Sequence, residues 1–155
     1  MKKKVLDIDT EVKVGIIGIC CVAKDYRLCW EINRLLKINL THHNKTASKN
    51  IKLENKYRNI QRDKMSNYSA VSTFSYKAEE KGITYKLVSN ANQQGEKLIP
   101  EQKQVDFFML IKGTDYQNEQ YRLTKELRQV KIVLTAFEIP AKTIKNNLKI
   151  FINNS

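Results

Sequence analysis

Apolar residues in this chain fall into short blocks with two different periods. Residues 12–22 are almost uninterrupted Val, Ile, Gly and Cys, and a β-branched run of that length predicts a buried strand. Over 25–37 the period lengthens. Leu28, Ile32, Leu35 and Leu36 share one helical face, with Asp25 placed to cap the first turn and Asn39 just beyond the last. Residues 41–69 are polar, with weak helical spacing at Leu53, Tyr57 and Ile60. They read as a mobile insertion within a single domain spanning 1–155. Strand signals return at 70–78 and 83–88, on either side of Glu79-Glu80-Lys81-Gly82, a turn with glycine where a positive φ is wanted. In the second of these strands Ile83, Tyr85 and Leu87 alternate with Thr84 and Lys86, so one face meets the core. Residues 90–95 read as a loop.

The stretch 105–111 is nearly continuous in apolar residues and reads as a central strand. Thr114-Asp115-Tyr116-Gln117 has the form of a capping box, opening a helix to about residue 129 with Tyr116, Leu123 and Leu127 inward. Residues 130–139 form another strand. Pro140 suits the first position of a short terminal helix, and 148–152 is an apolar tail. This order predicts an α+β fold: one antiparallel or mixed sheet of about five strands, with two main helices on one face. The plan is ferredoxin-like, βαββαβ with an additional strand. Enzymes, RNA binders and sensors all use such a scaffold, so function must come from the site.

At 155 residues the chain is long enough to bury about two thirds of its unfolded surface around one core. No apolar run approaches the roughly 20 residues that span a membrane. Met1-Lys2-Lys3-Lys4 is followed by Asp7, Asp9 and Glu11 where a signal peptide has its apolar segment. Three cysteines, an odd number, suit reduced thiols, and a cytoplasmic location is expected.

The net charge of +12, with a pI near 9.6, brings nucleic acid into view as a partner. The excess is mostly lysine among many asparagines and isoleucines, a bias that AT-rich coding produces by itself. Within 41–69 the candidate phosphate-binding residues Lys45, Lys49, Lys52, Lys56, Arg58 and Arg62, with Lys64, face only Glu54 and Asp63. These seven cations and two acids give a local net charge of +5. The segment is either a phosphate-binding surface or a solvated loop, and the second reading is preferred.

Gly15 and Gly18 form GxxG inside the first strand, whereas a dinucleotide loop places its glycines after the strand, so close packing or a bulge is the better account. His42 and His43 have no cysteine nearby to complete a metal site, and Cys20-Cys21 lies in a buried strand where thiols are inert. No cofactor or metal is expected. Tyr26 and Trp30 stand four apart on a helical face offset from the core stripe, beside Arg27. They are either the rim of the core or a partner-binding patch built from hot-spot residue types. Asp106 falls on the side of Phe108 and Leu110, where a carboxylate must be paired or reach a pocket. Glu101 and Asp106 either serve acid–base work together or hold backbone N–H groups around Pro100, and the second is preferred.

Ile99-Pro100-Glu101, three intervening residues and then Val105-Asp106-Phe107 resemble the signature of the bacterial IPExxxVDY family. The likeness extends to Lys24-Asp25-Tyr26-Arg27-Leu28-Cys29-Trp30-Glu31 and to Ala136-Phe137-Glu138-Ile139. Phe107 departs from the tyrosine usual in that motif, keeping the ring and losing the hydroxyl. Members are small proteins of uncharacterised function, so the resemblance implies a family without catalytic residues. The expected function is a small non-enzymatic binding or interaction module. It would meet a protein partner, or itself, through an edge strand or the Tyr26, Arg27 and Trp30 patch. The alternatives are an RNA-binding accessory using the basic insertion, and a small-ligand binder or enzyme using Glu101 and Asp106.

Overall fold

A computed structural model describes residues 13–42, 71–92 and 94–142. The elements run β1 (Val14–Cys21), α1 (Asp25–Leu36), β2 (Thr41–His42), β3 (Thr73–Ala78), β4 (Ile83–Ser89), a 3-10 turn (Pro100–Gln102), β5 (Phe107–Gly113), α2 (Tyr116–Leu127) and β6 (Val133–Ile139). One sheet of six strands, all pairs antiparallel, has the order β2-β3-β4-β5-β1-β6. The α+β class and the two helices are as expected, and the sheet is antiparallel throughout. It has one strand more than expected, because Thr41 and His42 pair with Ser75 and Phe74 at the edge. The rest of the polar insertion, 43–69, lies outside the described residues, as does the apolar tail at 148–152. No helix among the described residues is long and apolar enough to cross a membrane.

β1 is buried along its whole length because it lies between β5 and β6 and is covered on both faces. On one face Ile17 and Ile19 join Tyr85, Met109 and Ile111 beneath Leu28 and Ile32 of α1 and Leu123 and Leu127 of α2. On the other, Ile16, Val88, Phe108 and Leu110 are covered by Leu98, Ile99 and Val105. Two-sided cover explains why β1 and β5 read as continuous apolar runs. It also corrects the one-sided reading of β4, whose Lys86 and Val88 are buried along with Ile83, Tyr85 and Leu87. Each fully buried Ile or Leu contributes about 1.5–3 kcal/mol.

The glycines of β1 are packing positions. A Cβ on Gly18 would stand 2.8 Å from Ile139 Cδ1, and one on Gly15 would stand 2.9 Å from Gln120 Cδ. The bare strand therefore lets α2 settle onto it, where Gln120 Nε2 donates to the Ile16 carbonyl at 3.0 Å. The turn glycine Gly82 has the positive φ expected of it, at +67°.

Five boundaries differ from the sequence reading. Lys24, rather than Asp25, is the N-cap of α1; Asp25 is its first residue and accepts from the Tyr26 N–H at 2.6 Å. The helix ends with Lys37 in the left-handed region and the Ile38 N–H on the Asn33 carbonyl, without help from Asn39. No capping box opens α2. Its N-cap is Asp115, itself left-handed, whose Oδ1 accepts from Asn118 Nδ2 at 2.7 Å. β5 starts at Phe107 and β6 at Val133, each two or three residues later than hydrophobicity alone suggests, because Val105 and Val130 sit in turns that close on Gln102 and Leu127.

Candidate functional site

The motif residues divide between core and surface. Ile99 and Val105 are fully buried on the sheet face opposite the helices, and Phe107 is buried on the helix-bearing face. Pro100 and Glu101 are exposed in the 3-10 turn. Asp106 lies just ahead of β5. Its Oδ2 accepts from the Cys21 N–H at 2.9 Å, and its own N–H donates to the Ile19 carbonyl at 2.9 Å. The carboxylate thus extends the β1–β5 ladder past the last paired residues, which meets the need for a partner with a backbone donor.

Asn90, which sequence reasoning left in a loop, organises this segment. Its side chain is wholly buried. Nδ2 donates to the carbonyls of Val105 at 2.8 Å and Gln102 at 3.1 Å, while Oδ1 accepts from the Ile99 N–H at 2.8 Å. Its backbone pairs with Asp106 and Leu98. One amide therefore holds both ends of the 99–105 excursion and presses Ile99 and Val105 onto the sheet. Nothing in the local sequence marks Asn90 apart from the other turn-forming residues around it.

A second polar group sits under α2. The Tyr85 hydroxyl donates to Glu119 Oε2 at 2.5 Å, and Arg122 meets the same carboxylate at 2.6 Å while its other nitrogen reaches Glu126 at 2.9 Å. Burial opposes ionisation of Glu119, but the hydrogen bonds from Tyr85 and Arg122 outweigh it and hold the carboxyl below its ordinary value. Burial, followed by the bond to Glu119, raises the Tyr85 hydroxyl well above the usual phenol range. Glu119 was legible in principle, since 119, 123 and 127 form an inward stripe at intervals of four.

The three cysteines are free and buried. Burial raises all three thiols, Cys29 to about 11 with a further push from Asp25. None has the electropositive, accessible setting of a reactive thiol. His42 stacks obliquely on Phe74 with ring centroids 4.8 Å apart, while His43 lies outside the described residues.

The surface of α1 carries the remaining candidates. Tyr26 is 66% exposed and Trp30 56%, and Val22, in the bend between β1 and α1, is 77% exposed. These values place Tyr26 and Trp30 outside the core rim and add Val22, which sequence reasoning assigned to the first strand. Arg34 lies 5.2 Å from the Trp30 ring centroid, and Glu31 bridges Arg27 at 3.3 Å and Arg34 at 3.1 Å. The arrangement is a pair of exposed aromatics one turn apart on α1, with Val22 in the bend ahead of the helix and the cations held in place beside the pair. The phosphate-binding candidates Lys45, Lys49, Lys52, Lys56, Arg58 and Arg62 lie outside the described residues.

No family model matches the chain, and no curated protein or solved structure matches it either.

Proposed function

We propose that this chain is a small non-enzymatic interaction module of the cytoplasm, of ferredoxin-like plan and of the IPExxxVDY family, that binds a protein through α1. The exposed stripe Val22, Tyr26 and Trp30 carries the reading. Two aromatic side chains one turn apart on the helix, with a third apolar side chain just ahead of its N-cap, all open to solvent, are what a protein interface uses as anchors. The motif residues support it from the other side, because Ile99, Val105 and Asp106 are engaged in packing and backbone pairing. For the fold, the adjacent strands β4-β5-β1-β6, with α1 following β1 and α2 joining β5 to β6, support the ferredoxin-like plan. On that plan β2 and β3 extend the sheet beyond β4.

Affinity purification of the tagged protein from its native lysate, with and without ribonuclease, tests the reading. The expected result is a stoichiometric protein that survives ribonuclease and is lost with Trp30→Ala or Arg27→Ala, while the circular dichroism spectrum is unchanged. Equal recovery with both variants would remove the α1 patch. Loss of all co-purifying material on ribonuclease treatment would transfer the function to the basic segment and an RNA partner.

A further inference from the structure

The charges around the α1 stripe narrow the partner that fits it. Helix residues advance by about 100° each, so Tyr26 and Trp30 lie about 40° apart, with Arg34 and Arg27 together along one flank. Lys24, Arg27, Arg34 and Lys37 are all exposed. The two acids of the helix are differently placed. Asp25 accepts from the Tyr26 N–H, and Glu31, its side chain only 11% exposed, is spent on Arg27 and Arg34. The stripe therefore meets solvent with apolar anchors and unbalanced positive charge.

We propose that this surface docks an acidic segment of a partner protein, one carrying aliphatic or aromatic anchors a helical turn apart amid Asp and Glu. The inference rests on the α1 docking reading and adds the chemistry of the occupant. A second copy of the chain is a poor fit, because it brings the same cations and a net charge of +12 against them. A nucleic acid satisfies the arginines and can stack a base on Tyr26 or Trp30, but it leaves the aliphatic Val22 without a counterpart.

The test is a selection from a displayed library of random peptides about four helical turns long, on the immobilised full chain. Trp30 is the only tryptophan, so its emission reports docking directly when the peptides carry none. The expected winners are net negative, with anchors four residues apart. They shift Trp30 emission, are lost with Trp30→Ala, and bind about five- to tenfold more weakly to an Arg27→Glu/Arg34→Glu variant of unchanged melting temperature. Neutral or basic winners that still need Trp30 would overturn the acidic partner and leave the docking site standing. Winners indifferent to Trp30→Ala would remove both. A single-stranded oligonucleotide that shifts Trp30 emission where no peptide does would also end the proposal, in favour of nucleic acid.

Discussion

Asn90 spends its whole side-chain amide on backbone, and the outcome of removing it follows from that. Asn90→Ala leaves the Ile99 N–H without its acceptor and the Val105 carbonyl without its donor, while the Gln102 carbonyl keeps the Val105 N–H, beneath the segment that covers the sheet face opposite the helices. With each of these two buried groups costing about 1–3 kcal/mol unsatisfied, the expected loss is at least about 2 kcal/mol, read as a lower urea midpoint. A loss under about 1 kcal/mol would mean that Ile99 and Val105 hold the excursion by packing alone. The cysteines give an independent check at the same scale. Cys20, Cys21 and Cys29 are buried and their thiols raised, so a thiol reagent at neutral pH should find none reacting quickly in the native protein and all three in denaturant. A fast-reacting Cys21 or Cys29 would contradict the closed packing of β1 against α1.

Between elements, the contact between α2 and the sheet depends on Tyr85, Glu119 and Arg122. Glu119 is held below its ordinary pKa, so its folded form binds protons less readily than the unfolded chain. The resulting stability is present above the unfolded carboxylate value, near 4.3, and is lost as pH falls through the folded one. Tyr85→Phe removes one bond to a charged acceptor and should cost about 1.5–3 kcal/mol at pH 7. That difference should shrink as acid protonates Glu119, so urea midpoints of both proteins measured from pH 7 to pH 3 should converge. A constant gap would show that the tyrosine acts through shape rather than through its hydroxyl. The elements themselves were largely legible, because β1, α1 and β5 are long blocks whose period reports burial directly. Their caps were not. Lys24 and Asp115 cap without a side-chain bond to a backbone N–H of the helix, so the residue types that usually mark helix starts pointed to their neighbours. The site followed the same pattern. Tyr26, Arg27 and Trp30 announced themselves by type and spacing, whereas Asn90 works through backbone groups nine to fifteen residues away, which no local pattern records.

At the scale of the whole molecule, charge is unevenly distributed along the chain. The described residues hold sixteen Lys and Arg against eleven Asp and Glu, a net of +5 of the chain's +12, so most of the excess lies outside the described residues. The described body is organised from the inside outward. β5 and β1 are paired on both sides and covered on both faces, whereas among the described residues β6 and β2 are each paired on one side. β6 also carries a bulge: Cys20 pairs with Thr135 and Cys21 with Val133, so Leu134 is the extra residue and stands 69% exposed. A bulge of this kind twists an edge away from further pairing, which favours α1 over β6 as the surface that meets a partner. Native-state hydrogen exchange tests this gradient. Amides of β1 and β5 should exchange only through global unfolding, β2 should exchange fastest, and β6 should open first around Leu134. On addition of a bound partner, protection should rise along α1 and stay unchanged in β6. Protection that appears in β6 instead would show that the edge is the interface and that the bulge does not guard it.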